Sequence, residues 1–489
     1  MRRRELLSGI ALLGSGAVLA RTREEAKPAP PPLTDDWESV RRQFPLDRRW
    51  IHMSQFFLAS HPLPVAAAIE MHRRGLDENP FLYVEDNIER FEKAIRQAAS
   101  EHMGCKPDDL AMTDSTTMGL GTFYNGLQLR EGQEILSTTH DHPATFRALD
   151  LRAARTGAVV RRVPLYTHAP EATADQMTQA LAREIRPRTR VVAVTWVHSS
   201  TGVRTPIARF AQAVAKANQG RAEADRAVLC VDGVHGFGVE DETMASLGCD
   251  MFAAGCHKWI FGPRGTGVLF ATPAGWAVST PSIPSFDRIW RREMPKAGEM
   301  TPGGFHSFEH RWALADAFRF HGGIGKARIA KRIHQLNEQC RRGLSGMKHV
   351  DLITPLSNEV SAGLVCLHGG SSRRGRRAAR QIGSSSGLSV ADSTCSAASV
   401  LATRGSRTRT SPPAPGWRGP PSRGSRTRSR VWASCATPSR GESTPSAPRR
   451  WGSVTPHSRR STSGAARARS CTRSRSTPIP PCTSRSTTS

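Results

Sequence analysis

Beyond its N-terminal stretch, the chain has no apolar run long enough to suggest a membrane span. Cys105, Cys230, Cys249, Cys256 and Cys340 show no paired metal-ligand spacing, so no metal site is predicted and no disulfide is assigned. Cys230 and Cys256 sit in apolar, strand-like contexts and read as packed thiols. Residues 371–489 contain no lysine, phenylalanine or tyrosine, and only two acids, Asp392 and Glu442, against 23 arginines. With so little large apolar surface to bury, that segment cannot offset the chain entropy lost on folding, and disorder is predicted for it.

The same segment explains a net charge that would otherwise suggest a nucleic-acid-binding protein. The 489 residues carry a formal +27; residues 371–489 supply +21, and the first 370 hold 46 basic and 40 acidic side chains, an ordinary balance for a soluble enzyme. Two readings of the tail remain. It could be an arginine-rich segment that folds on RNA, or an out-of-frame translation of a GC-rich gene beginning near Cys366. The abrupt change from SAGLVCL to HGGSSRRGRRAAR favours the second, and nucleic acid is not expected as a partner.

The N-terminus, MRRRELLSGIALLGSGAVLARTREEA, joins paired arginines to a short apolar stretch with a cleavage site at Ala20. Residues 1–26 are expected to form a twin-arginine signal peptide, with retention as an anchor the alternative, so that the twin-arginine machinery would carry the folded protein to the periplasm or beyond. KPAPPPLTDD, residues 27–36, is a proline-rich linker.

From residue 37 the pattern is that of an α/β protein. Apolar positions recur at three and four residues in PVAAAIEMHRRGL and VEDNIERFEKAIRQAASEHMG, which predicts amphipathic helices. Short β-rich runs follow: DLAMTDS, QEILSTT, GAVVRRVPL, RVVAVTWV, AVLCVDG, CDMFAAG and GVLFAT, with helical stretches such as ADQMTQALAREI and IARFAQAVAKAN between several of them. The alternation predicts a mostly parallel sheet flanked by helices, with ligands gathered beyond the carboxyl ends of the strands. The expected division is a large domain over residues 37–315, including the N-terminal segment, and the start of an incomplete small α+β C-terminal domain over 316–370. VDLITPLSNEVSAGLVCL would form the opening strands of that small domain.

Lys258 lies in GCHKWIFGPRGTGVLF, between an apolar run and a glycine-rich turn, where an amine could form a Schiff base. A lysine there is more often a solvated surface charge. Asp232, at the end of AVLCVDG, changes the reading, because a carboxylate can hold the protonated ring nitrogen of pyridoxal 5'-phosphate beside a Schiff-base lysine.

The segments VDGVHGFG and GCHKWIFGPRGTG together resemble those of class V aminotransferase-fold pyridoxal phosphate enzymes, the group that includes isopenicillin N epimerase-like proteins and cysteine desulfurases. The resemblance covers about residues 37–366 and implies a type I pyridoxal phosphate fold. It implies that Lys258 carries the cofactor as an aldimine and that Asp232 binds the ring nitrogen. In TDSTTMGLGTFYNGL, Thr116 and Thr117 would open a helix whose free amides bind the phosphate, although a Thr/Ser cluster alone reads as a helix cap. His140 of STTHDHPATF would stack on the cofactor ring and carry protons; without the resemblance, its pair of nearby histidines reads as a solvated loop. His198 and His235 would lie beside the phenolic oxygen, or serve as structural histidines, and His257 would donate to the phosphate, with Arg264 supporting that region.

His198 stands where desulfurases carry an asparagine. DSTCSAAS around Cys395 matches their cysteine loop only faintly, and no arginine after Cys366 stands where the family grips a substrate carboxylate. The family implies a homodimer and a small amino acid or amine as substrate. The expected reaction proceeds through a Cα carbanion, as epimerase or aminotransferase, with cysteine desulfurase or β-lyase activity and an impaired frameshift product as the alternatives.

Overall fold

The computed structural model describes residues 36–286 and 295–369. These fall within the first of two units, Met1–Ser406; the second, Arg407–Ser489, lies outside them. The expected signal peptide, all of the proline-rich linker but its last residue and the arginine-rich tail are likewise outside the described residues.

Every one of the predicted β-rich runs is a strand: β1 (Leu110–Thr113), β2 (Glu134–Thr138), β3 (Val159–Val163), β4 (Thr189–Thr195), β5 (Val228–Asp232), β6 (Met251–Gly255) and β7 (Gly267–Ala271). They form one sheet in the order β1-β7-β6-β5-β4-β2-β3. β7 runs antiparallel to both neighbours, and the other pairings are parallel. The continuous apolar runs follow from burial on both faces. In β4, Val192 and Val194 join one core cluster while Val191 and Ala193 join the other. β6 divides in the same way, with Phe252 and Ala254 against Met251 and Ala253, as a side-chain period of two requires.

Helices cover the sheet. Pro80–Met103 starts where Asn79 accepts a hydrogen bond from the Leu82 amide, has proline in its first turn, and stops at Gly104, whose φ of 65° suits a left-handed cap. Its amphipathic face packs into the larger core through Ile95, Ala99 and Met103. After Leu314–Ile324 and the long Lys326–Ser345, the chain makes a small antiparallel pair of β8 (Val350–Leu352) and β9 (Leu367–Gly369). The N-terminal helix Trp37–Arg42 joins this end through a third cluster in which Phe44 meets Phe320 and Phe261 edge to face. No helix among the described residues is long and apolar enough to cross a membrane.

Candidate active site

The carboxyl ends of β5 and β6 bring Asp232 and Lys258 together, though 26 residues separate them in sequence. Burial lowers the Lys258 pKa, and the Asp232 charge opposes that shift. The Lys258 Nζ lies 3.4 Å from His235 Nε2, while the indole nitrogen of Trp259 donates to His235 Nδ1 at 3.3 Å. Since Nδ1 accepts, the neutral ring carries its proton on Nε2. Burial, then the Lys258 charge, hold His235 well below its ordinary pKa, so it is neutral. An N–H facing Nζ suits an amine with a free lone pair and not an ammonium, which only donates. Trp259 thus sets the His235 tautomer, the one suited to an unprotonated Lys258 amine.

Asp232 is buried and its carboxyl is pushed up to about 6, chiefly by burial, with the Val234 amide, 3.2 Å from Oδ1, and Lys258 opposing and Asp141 adding to the rise. It forms no ion pair within 4 Å among the described residues. A protonated ring nitrogen would supply the missing cation.

The glycines of VDGVHGFG permit close packing. Gly238 has φ 81° and a built Cβ would lie 2.9 Å from the backbone carbonyl carbon of Trp259, so a side chain there would displace the lysine turn. That turn contains Phe261 at φ 59°, the one non-glycine residue with positive φ among those described. Its ring is held by Phe44 at 4.9 Å.

Ser115, not a threonine, caps the helix Thr116–Gly126 by accepting from the Met118 amide. This leaves the amides of Thr116 and Thr117 without helix carbonyls. The Thr116 hydroxyl accepts from the Gly255 amide at 2.8 Å. A Cβ on Gly255 would lie 2.9 Å from His257 Cε1 and 3.2 Å from Thr116 Oγ1, so the missing side chain opens the space where threonine and histidine converge. His257 Nδ1 is buried with no hydrogen-bond partner. Free amides and an orphaned imidazole nitrogen, brought close because Gly255 carries no side chain between them, fit a phosphate. Thr117, with Ser115, Arg155 and Ser282, also lines a cavity of about 420 Å³. Arg264 lines another cavity, with Asp114 and His306, apart from Lys258.

His140 stacks on Tyr166, the centroids 3.9 Å apart and the planes 8° from parallel. Its Nε2 accepts from the Leu165 amide at 3.2 Å, which places the proton of the neutral ring on Nδ1. Tyr166 also binds His198 Nδ1 and Thr201 Oγ1, each at 2.9 Å. His198 is fully buried, its pKa pushed down to about 3 by burial, and its Nε2 has no partner.

Sequence reasoning missed Tyr166, Trp259, Asp141 and His142. His142 caps the helix Pro143–Thr156, and the Lys258 charge helps lower its pKa, second to burial. Trp259 adjoins Lys258 in sequence and could have been noticed; Tyr166 lies in an unremarkable YTHAP and becomes visible only through the fold. The N-terminal segment IHMSQFFLASHP crosses the lysine turn: the Ala59 amide donates to the His257 carbonyl, and Phe56 approaches His235. Within and beside it, however, Trp50, Ile51 and Phe57 are exposed. Among the described residues no group of three or more His, Cys, Asp or Glu is arranged to hold a metal.

The aminotransferase class-V family model matches residues 83–381. Isopenicillin N epimerase of Amycolatopsis lactamdurans is 25% identical over 344 residues, covering 67% of this chain and 83% of that protein. A probable cysteine desulfurase of Vibrio cholerae is 24% identical over 377 residues, covering 68% and 89%. Among solved structures, a C-DES variant with glycine covalently linked to pyridoxal phosphate is 25% identical, with a TM-score of 0.62 over 70% of this chain and 89% of that one.

Proposed function

Because the chain belongs to the aminotransferase class-V family, and is therefore a pyridoxal phosphate enzyme, we propose that it acts on a small amino acid or amine as an epimerase or aminotransferase. The observation that carries this reading is the Lys258 amine, 3.4 Å from His235 Nε2 and lowered in pKa by burial, near the buried Asp232. Lys258 Nζ would hold the cofactor covalently, Asp232 its ring nitrogen, the Thr116 and Thr117 amides with His257 its phosphate, and His140 one ring face, with His198 and His235 at the polar edge. When bound, the cofactor supplies an electron sink that stabilises a carbanion at the substrate Cα.

Lys258 Nζ, when free, would accept the Cα proton, and burial, by lowering its pKa, favours the unprotonated form this requires. Transamination would use Lys258 Nζ alone, both to take and to return that proton. Epimerisation needs delivery to the opposite face, for which His140 Nδ1 is the available group. Identity to two isopenicillin N epimerases, each 25%, and His198 in place of the desulfurase asparagine support the first reading. The likeness to the cystine C-S lyase C-DES supports β-elimination as the second, since its two solved forms are among the similar structures.

A homodimer fits the exposed apolar side chains of the N-terminal segment together with Phe81 and Phe305, 69% and 72% exposed. Export through the twin-arginine route to the periplasm or beyond completes the proposal and rests on the sequence of residues 1–26. The test is spectroscopic: purified protein with pyridoxal phosphate should develop the absorbance band of a lysine Schiff base, absent in Lys258→Ala, and no band in the wild type would overturn the reading. Chiral analysis of amino acids, with keto-acid and sulfide assays, separates epimerase, transaminase and lyase.

A further inference from the structure

At the opposite end of the sheet, where β2, β4, β5 and β6 begin, lies a cavity of about 960 Å³ lined by Arg130, Arg152, Arg190, Arg221 and Arg226 against only two acids, Glu223 and Asp250. Four of these arginines are explained by their surroundings or their exposure. Arg130 pairs with Asp225, Arg152 donates to the Leu127 carbonyl, Arg221 donates to the carbonyls of Thr189 and Arg186, and Arg226 is exposed.

Arg190 is different. It is 7% exposed, yet its guanidinium makes no hydrogen bond or ion pair among the described residues. The strand pairing is broken at this residue: β2 and β4 pair Glu134 with Thr189 and Ile135 with Val191, so Arg190 is the extra residue of a β-bulge. A bulge leaves its extra residue unpaired and re-aims the side chain, here into the cavity. Burial lowers the Arg190 pKa more than Asp225 and Asp250 raise it, yet an arginine does not give up its proton to escape such a site. A permanently charged fork without a hydrogen-bonded partner, facing a basic cavity with Asp225 and Asp250 as the only carboxylates that raise its pKa, suits an anion.

We propose that this cavity binds a small polyanion carrying a diphosphate group, with Arg190 as its buried anchor. The volume lies in the range of small-molecule sites, and the charge is gathered in a concavity and not along an exposed stripe, which favours a small ligand over a nucleic acid strand. The site stands apart from the cofactor end and does not depend on the proposed reaction. Its diphosphate is either free pyrophosphate or part of a nucleotide.

Calorimetric titration of holoenzyme whose cofactor has been fixed by borohydride reduction, so that the phosphate cradle at Lys258 stays filled, tests the proposal with pyrophosphate, ADP and a single-stranded oligonucleotide. Pyrophosphate should bind one to one, and more weakly as salt rises. Arg190→Met should weaken it by about tenfold or more, the effect of losing a charged hydrogen-bond partner. Arg226→Glu, at an exposed position that does not bear on folding, should weaken it in the same direction. ADP equal to pyrophosphate identifies the free diphosphate as ligand, and tighter ADP identifies a nucleotide. Absence of binding at about 1 mM, about 4 kcal/mol on the affinity scale, overturns the proposal. So do affinities unchanged in both variants, or an oligonucleotide that binds more tightly than either small ligand.

Discussion

Lys258, half-buried, and Arg190, buried, are basic groups at opposite ends of one sheet, and desolvation has different consequences for them. Desolvation disfavours the charged form of both. Lysine can respond by giving up its proton more readily, and His235 with its tautomer set by Trp259 suits the resulting amine. Arginine cannot respond that way and stays a cation in want of an anion. The same physical penalty therefore makes a nucleophile at the carboxyl ends of the strands and an anion receptor at their amino ends.

Exchanging the two chemistries is the most severe way to break this comparison. Lys258→Arg keeps a cation but removes the titratable amine; turnover should fall by more than about 10⁴-fold, on the scale of losing a catalytic nucleophile, and the bound-cofactor absorbance band should vanish. Retained activity would show that the neutral amine is not what the site provides. Asp232→Asn keeps the shape and removes the counter-charge for the ring nitrogen. It should cost about 10²- to 10³-fold in kcat with the Schiff-base band still present, as for the loss of one preorganised electrostatic contact.

Gly255→Ala puts a methyl group into the gap between His257 and Thr116, and overpacking of this kind costs about 1–3 kcal/mol, so cofactor affinity should drop by about tenfold or more in an equilibrium titration. The smallest effect is on stability. The unfolded chain protonates His198 near 6.5, while the folded protein resists protonation down to about 3. The unfolded state then binds more protons across that window, and stability falls as pH drops through it, by at most about 1.4 kcal/mol per pH unit for this residue. Thermal denaturation of His198→Gln between pH 7 and 5 should be less pH-sensitive than that of wild type; an identical pH dependence would mean His198 is not held neutral.

Much of the fold was legible because burial on both sides of a parallel sheet writes itself as unbroken apolar runs. RVVAVTWV and AVLCVDG could hardly be anything else. The strand order, and β7 running against its neighbours, were not legible, since pairing is chosen by contacts between distant segments. In the site, Lys258, Asp232 and His257 could be found because their neighbours in sequence are also their neighbours in space. Thr117 lies at the helix start, as its place in the sequence implies, and its amide has no helix carbonyl there. Tyr166 could not be found, because only the side-by-side pairing of β2 and β3, with Thr139 bonded to Val163 beyond their ends, brings its ring against His140.

What the sequence determined by itself was the class of fold and the identity of the chemical groups, because hydrophobic period and motif spacing are local properties of the chain. Protonation states were decided by tertiary structure alone. Whether Lys258 is an amine, Asp232 a poised acid near pH 6 or Arg190 an unpaired cation depends on how much water and how many partners the fold leaves around each charge, and those come from residues far away in the chain.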